Sequence, residues 1–254
     1  MAILRKIFES MSGRRPQSRM DEELRVAAME GRPDRVERLL REGAALDGTD
    51  GRGCTALHGA AQWGHPGIVK LLLDRGADPN VAESGGLAGT ALTMAALNGH
   101  MDIAQMLVAA KADVNATDYE RRTAMHLAIQ AGREDIALFM IEAGTAPGTQ
   151  SRMGDTPLLD AVRRDMHDAA LALAERDADP NVLDMTEGLT IRELAARRNW
   201  PDVLAAIDNP GVAKRRAEDM ERQAKEAFDT AIRSAPVLQK DISVGKPLVL
   251  KPAP

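Results

Sequence analysis

The chain has 254 residues, a formal net charge of −5 and one cysteine, Cys54. A single cysteine excludes an internal disulfide and is typical of a reducing compartment, so we expect a cytoplasmic protein. Aromatic residues make up only 2% of the chain, which argues against an aromatic cage for a cofactor, and no apolar run approaches the roughly 18 residues needed to cross a membrane.

Residues 1–20 form a basic segment at the start of the chain. Ile3, Leu4, Ile7 and Phe8 fall at helical spacing between Arg and Lys residues, which predicts a short amphipathic helix. Three roles remain open for it. It could dock on the body of the protein or form a loose tail, which is the favoured interpretation; it could lie on a membrane surface; or it could be an organelle transit peptide.

A similar block of residues then recurs along the chain. It reads T-A-L-H-G-A-A from Thr55, T-A-L-T-M-A-A from Thr90, T-A-M-H-L-A-I from Thr123, T-P-L-L-D-A-V from Thr156 and T-I-R-E-L-A-A from Thr190. The steps between these threonines are 35, 33, 33 and 34 residues, and a related line, E-E-L-R-V-A-A, starts 33 residues before the first threonine. A fixed period of this length predicts a stack of repeats and not one globular core.

Each block predicts two short helices followed by a turn. Thr55 has the chemistry of an N-cap, Leu57 begins an apolar stripe at helical spacing, and Gly64 can end the helix in the left-handed conformation. A more apolar second helix follows, and the segment 76–80, G-A-D-P-N, has the composition of a turn. One such helix pair cannot bury its own apolar face, so we expect neighbouring pairs to stabilise each other.

These blocks resemble the ankyrin repeat. The T-P-L-H-x-A-A signature of that family appears almost unchanged at Thr55–Ala61, and its G-A-D-x-N signature appears at Gly76–Asn80. The resemblance covers about residues 20–208 and implies an all-α solenoid of about six helix-pair repeats with hairpin loops, at 21–208. It also implies a non-catalytic protein–protein interaction module, such as an adaptor, scaffold or inhibitor, without a cofactor.

The end of the chain departs from the repeat. Asn209-Pro210-Gly211 breaks the pattern, and residues 209–235 then predict one more helix, either a cap on the sixth repeat or a partner-binding helix. Trp200 is expected to pack between the sixth repeat and that helix. For residues 236–254 we expect disorder, or alternatively a short motif that adds as a strand to another protein's sheet.

The five histidines do not predict a metal site. His58 and His126 occupy the His position of the repeat signature, and His65 and His100 follow the glycine that ends the first helix. His167 lies outside these positions but has no evident Cys or His companion. The single cysteine likewise lacks a base in any recognisable pattern, so the sequence predicts neither a metal ligand nor a catalytic residue.

The resemblance places partner binding at the hairpin tips and at the concave ends of the first helices. The residues predicted to bind a partner are Arg52, Gln62, Trp63, Leu97, Asn98, Tyr119, Arg122, Gln130, Arg152, Arg163, Arg164, Arg197 and Arg198. Met153 and Met185 occupy further tip positions. Trp63, Leu97 and Tyr119 predict an apolar entry, and the arginines from Arg122 onward predict a basic floor, unless they are merely solvated helix ends.

The distribution of charge along the chain favours some classes of partner over others. Residues 1–21 and 209–254 each carry +3 against −5 for the whole chain, which leaves −11 for the body between them. An acidic body argues against nucleic-acid binding. We expect a monomer that binds a protein with an acidic or mixed apolar and acidic surface. The alternatives are a peripheral membrane adaptor tethered by residues 1–20 and a regulator or effector that acts through its C-terminal tail.

Overall fold

The computed structural model describes residues 17–85, 89–176 and 178–209, so most of the predicted N-terminal tail and the predicted C-terminal helix and tail lie outside the described residues. The described helices are α1 (Gln17–Met29), α2 (Pro33–Glu42), α3 (Ala56–Trp63), α4 (Pro66–Asp74), α5 (Ala91–Asn98), α6 (Met101–Ala109), α7 (Ala124–Gln130), α8 (Glu134–Glu142), α9 (Pro157–Arg163), α10 (His167–Ala174), α11 (Ile191–Arg197) and α12 (Pro201–Asp208). One antiparallel hairpin pairs β1 (Leu183–Asp184) with β2 (Leu189–Thr190). The predicted domain start at residue 21 falls inside α1.

The helices form six consecutive pairs, here called repeats 1 to 6, which confirms the predicted all-α repeat solenoid. The first helix of each repeat packs against the first helices of its neighbours, and the second helices do the same. Alanine pairs such as Ala60-Ala61 and Ala95-Ala96 are completely buried, and their small size allows the first helices to approach closely. The buried residues form one continuous core through the repeats, as expected for units that cannot bury their apolar faces alone.

Threonine side chains cap the first helices of repeats 2, 5 and 6, as the sequence predicts for Thr55. The Thr55 backbone N–H donates to His58 Nδ1 at 3.3 Å, and the His58 backbone N–H donates to Thr55 Oγ1 at 3.4 Å. This reciprocal cap satisfies two backbone donors that the helix leaves free. A similar pairing joins Thr123 and His126. Burial lowers the pKa of His126 to about 4, so this ring is neutral and structural at physiological pH.

The ends of the first helices carry a contact from one repeat to the next. Gly64 ends α3 at φ 73°, in the left-handed region. His100 of the next repeat packs against this glycine and donates from Nε2 to the Gln62 carbonyl at 3.2 Å. His65 makes the same contact one repeat earlier, with the Met29 carbonyl at 2.9 Å. We call this series of contacts the helix-end ladder.

The turns after the second helices carry a second ladder, here called the turn ladder. Its hydrogen bonds run from Asp78 N to Asp47 Oδ1 at 3.1 Å, from Asp113 N to Asn80 Oδ1 at 2.7 Å, and from Ala146 N to Asn115 Oδ1 at 2.8 Å. Each bond joins the turn of one repeat to the turn of the next. The Asn of the G-A-D-x-N signature is therefore a connector between repeats.

Neither ladder continues between repeats 4 and 5, and the helix-end ladder already loses its histidine at repeat 4, where Arg133 packs against Gly99. Gly148 stands where the turn ladder needs an Asn or Asp, and Met166 stands where the helix-end ladder has its histidines. Charged side chains contribute to this junction instead. Gln130 Nε2 donates to Asp160 Oδ2 at 2.9 Å, and the Ala169 backbone N–H donates to a Glu134 carboxylate oxygen at 3.2 Å.

His167 joins the second helices of repeats 5 and 6. Its ring contacts Asp202 Oδ1 through Nε2 at 3.0 Å and Asp168 Oδ1 through Nδ1 at 3.2 Å. The Trp200 ring lies edge-on to it, with 5.1 Å between centroids. Trp200 was predicted to pack against the helix at 209–235, which lies outside the described residues, and the structure places it against His167.

This contact predicts a pH dependence for the sixth repeat. Hydrogen bonds from Asp202 and then Asp168 raise the pKa of His167, so its stabilising contribution is complete below the ordinary histidine value of about 6.5 and is lost as the pH rises through the raised pKa. We expect His167→Gln to lower the urea midpoint of the Trp200 transition more at pH 5.5 than at pH 8.5, a comparison in which the buried His58 and His126 contribute equally to both proteins. A loss of the same size at the two pH values would contradict the assignment.

Candidate functional site

The ends of α3 and α5 present the predicted apolar entry. Trp63 is 58% exposed and Gln62 is exposed beside it, whereas Leu97 is half-buried. Asn98 is exposed, and its Nδ2 donates to the Met94 carbonyl at 2.8 Å, which closes the last turn of α5. Trp63 is therefore the principal apolar group on this part of the surface.

The predicted basic floor begins with Arg122, which lies in a network of hydrogen bonds. Its Nε donates to the buried Asp118 carboxylate at 2.9 Å, and its Nη1 donates to Gln130 Oε1 at 3.1 Å. Gln130 in turn donates to Asp160, whose pKa is raised by burial. Two of the predicted partner-binding residues are thus already engaged within the chain.

Arg163 extends these contacts into repeat 6. Its Nε and Nη2 donate to the two oxygens of Asp184 at 2.9 and 2.8 Å, a bidentate pair, and its Nη1 donates to Asp155 at 2.7 Å. Asp184 is completely buried, and the hydrogen bonds from Arg163 hold its pKa far below the ordinary aspartate value. Paired in this way, Arg163 ties the hairpins of repeats 5 and 6 to α9.

The remaining arginines divide into paired and unpaired groups. Arg197 contacts Glu187 at 2.9 Å, and Arg198 contacts Asp165 at 3.5 Å and donates to the Arg163 carbonyl. Arg152 and Arg164 are exposed and form no ion pair with any carboxylate among the described residues. The carboxylates of the same chain therefore neutralise much of the predicted basic floor, and the repeat pattern does not indicate these carboxylate partners.

The hairpin tips of repeats 4 to 6 expose large side chains. Tyr119 is 58% exposed, Met153 is 79% exposed and Met185 is 78% exposed. The Arg152 guanidinium lies over the Tyr119 ring, 4.2 Å from its centroid, a cation–π arrangement. Arg52 is exposed at the tip of repeat 2, where its carbonyl accepts hydrogen bonds from the next hairpin. Sequence position placed Met153 and Met185 at tips but did not indicate how exposed they are.

The described residues show little sign of a catalytic or metal-binding site. Cys54 is half-buried, and burial together with the nearby Glu83 carboxylate raises its thiol pKa to about 11, so the nucleophilic thiolate is scarce at neutral pH. The described part of the chain contains no cluster of His, Cys, Asp and Glu suited to a metal ion. Nor does any helix within it have the length and hydrophobicity required to cross a bilayer.

Comparison with known families agrees with the repeat geometry. The family model for ankyrin repeats (3 copies) matches residues 20–83 and 92–184, and a second model, for ankyrin repeats (many copies), matches residues 60–108. The chain belongs to the ankyrin repeat family. Ankyrin repeats form protein–protein interaction modules, and the fold by itself does not determine the partner.

Several curated ankyrin proteins resemble the chain over its repeats. It is 33% identical over 166 residues to the transient receptor potential cation channel subfamily A member 1 homolog of Caenorhabditis elegans, and 32% identical over 162 residues to the nuclear factor NF-kappa-B p105 subunit of Gallus gallus. It is 40% identical over 114 residues to the probable E3 ubiquitin-protein ligase XBOS33 of Oryza sativa subsp. japonica. These matches cover 64%, 63% and 44% of this chain but only 14%, 16% and 22% of the relatives.

Proposed function

We propose that this ankyrin array is a non-catalytic adaptor, scaffold or inhibitor that binds a partner protein through its hairpin tips and first-helix ends. The observation that carries the proposal is the exposure of Trp63, Tyr119, Met153 and Met185 on these two surfaces of a stacked array. Large apolar and aromatic side chains dominate binding energies once a partner removes them from water. Soluble proteins rarely expose large apolar patches, so a cluster of exposed apolar side chains indicates an interaction site.

The test compares partner recovery by two matched triple variants. Trp63→Ala, Tyr119→Ala and Met153→Ser together should reduce the recovery of specific partners, measured by affinity purification and quantitative mass spectrometry, at least tenfold. This corresponds to a loss of about 1.4 kcal/mol or more in binding.

The control changes three exposed residues on second helices, Lys70→Ser, Gln105→Ser and Glu142→Ser. These residues lie away from both proposed surfaces, so recovery should stay within twofold of wild type. Equal recovery by the wild type and the Trp63, Tyr119 and Met153 variant would refute the proposal, as would equal losses in the two variants.

A further inference from the structure

The hairpin tips of repeats 4 to 6 form a row that differs from the rest of the surface. We call it the tip patch and define it by Tyr119, Arg121, Arg152, Met153 and Met185. Of the six large apolar residues that are exposed in the described part of the chain, these hairpins contribute Tyr119, Met153, Leu183 and Met185. Exposed apolar groups are therefore concentrated at one end of the array.

The tip patch is held in shape by the protein itself. The Arg152 backbone N–H donates to the Glu120 carbonyl at 2.8 Å, which fixes the tip of repeat 5 against that of repeat 4. The stacking of Arg152 on the Tyr119 ring keeps both side chains in place. Across the next interface, Arg163 bonds to Asp155 and Asp184, one on each hairpin. Because this surface is already ordered, binding a partner would cost little conformational entropy, which favours affinity.

The charge of the tip patch is opposite to that of the body around it. Arg121 and Arg152 are exposed and have no ion-pair partner among the described carboxylates, and Arg164 is exposed without a described ion pair at the end of α9. Glu120 is the nearest acidic residue along the hairpin and is half-buried. Arg122 and Arg163, by contrast, are neutralised within the chain. Unpaired guanidinium groups remain available for carboxylates of a partner.

The dimensions of the tip patch favour an extended ligand. Neighbouring helices in packed arrays are about 10 Å apart, so three successive tips span about 20 Å. An extended chain covers this distance with about six residues, at about 3.3 Å each. A row that is three repeats long, with one or two side chains on each tip, suits such a strand better than it suits a broad globular surface. The flexible methionines can adapt to apolar side chains of different shape.

We propose that the tip patch binds an extended acidic segment of a partner protein that carries at least one large apolar side chain. The carboxylates pair with Arg121 and Arg152, and the apolar side chain lies between Met153 and Met185. This inference rests on the proposed protein-binding function and specifies the partner class for one of its surfaces. Because the segment crosses from repeat 4 to repeat 6, it also bridges the junction between repeats 4 and 5, where neither ladder is present.

The test selects ligands from a phage-displayed library of random 12-residue peptides on the full-length chain. We expect enrichment of peptides that combine several Asp or Glu residues with Phe, Leu or Trp. Synthetic copies of these peptides should bind at least tenfold more weakly to Arg152→Glu and to the double variant Met153→Ser, Met185→Ser. Raising the salt from 50 to 300 mM should weaken binding as well, because the charges involved are exposed.

The control is Trp63→Ala, which removes the largest exposed side chain from repeat 2 and should leave peptide affinity within twofold of wild type. Enrichment of basic or neutral peptides, absence of any enriched peptide, or unchanged affinity in the tip variants would overturn the partner class. If the peptides fail while partner recovery still depends on Trp63, Tyr119 and Met153, the proposed function stands and only the acidic-segment inference falls.

Discussion

Replacing Arg163 by Met is expected to lower the free energy of unfolding by about 3 kcal/mol, because breaking a buried ion pair leaves an uncompensated charge. The side chain of Asp184 is 1% exposed and loses two hydrogen bonds when the guanidinium is removed. Methionine replaces the aliphatic part of the arginine side chain, so lost packing contributes little. Urea unfolding followed by circular dichroism and Trp200 fluorescence measures the change.

Arg164 provides the matched control for this prediction. It follows Arg163 directly, at the end of α9, and is exposed without an ion pair to a described carboxylate. We expect Arg164→Met to change stability by no more than about 0.5 kcal/mol, as is usual for surface substitutions. If the two variants were destabilised equally, the assignment of a structural role to Arg163 would be refuted.

The protonation of Asp184 gives this prediction an independent check. Its pKa is held well below the ordinary value of about 3.9. The ion pair therefore contributes its full stability above about pH 4 and loses it as the pH falls through the lowered pKa. Wild type should lose stability in acid more steeply than Arg163→Met, which no longer has the pair to lose. Parallel acid unfolding curves would contradict this account.

The contacts of Arg163 also show which features of the fold could not be predicted from the sequence. Thr55 and Gly64 were recognised as helix start and stop because their effects are local, within about one helical turn of each residue. Arg163 and Asp184 are 21 residues apart and meet only after two repeats have stacked. The periodic pattern aligns both positions but contains no information on which side chains face each other. A basic floor was therefore predicted where the structure contains ion pairs.

The exposed apolar residues could also be predicted only in part, because the sequence does not show which side chains are buried. Trp63 and Tyr119 were identified because aromatic residues are rare in this chain and both occupy surface positions of the repeat. Met153 and Met185 were placed at tips, but methionine is so common in cores that its identity does not indicate exposure. Their exposure becomes evident only from the structure.

The final prediction concerns two glycines that the sequence treats as equivalent. Gly64 and Gly132 both follow a first helix and both adopt the left-handed region, at φ 73° and 74°. A Cβ atom on Gly64 would lie 2.5 Å from the His100 ring, whereas nothing lies within 4 Å of the same atom on Gly132. The difference arises because His100 of the next repeat packs against Gly64, whereas Met166 stands at the equivalent position of the repeat that follows Gly132.

Gly132→Ala should therefore cost only the strain of a left-handed alanine, about 1 kcal/mol. Gly64→Ala should cost about 2 kcal/mol, since it carries the same strain and also displaces His100 from the Gln62 carbonyl, a hydrogen bond worth about 1 kcal/mol. Urea unfolding of the two variants, with Trp63 fluorescence as the probe of the first repeats, measures the difference. Equal losses would mean that the histidine contact adds nothing to the free energy of unfolding. A larger loss for Gly64→Ala would establish that repeats 2 and 3 are coupled through this helix end.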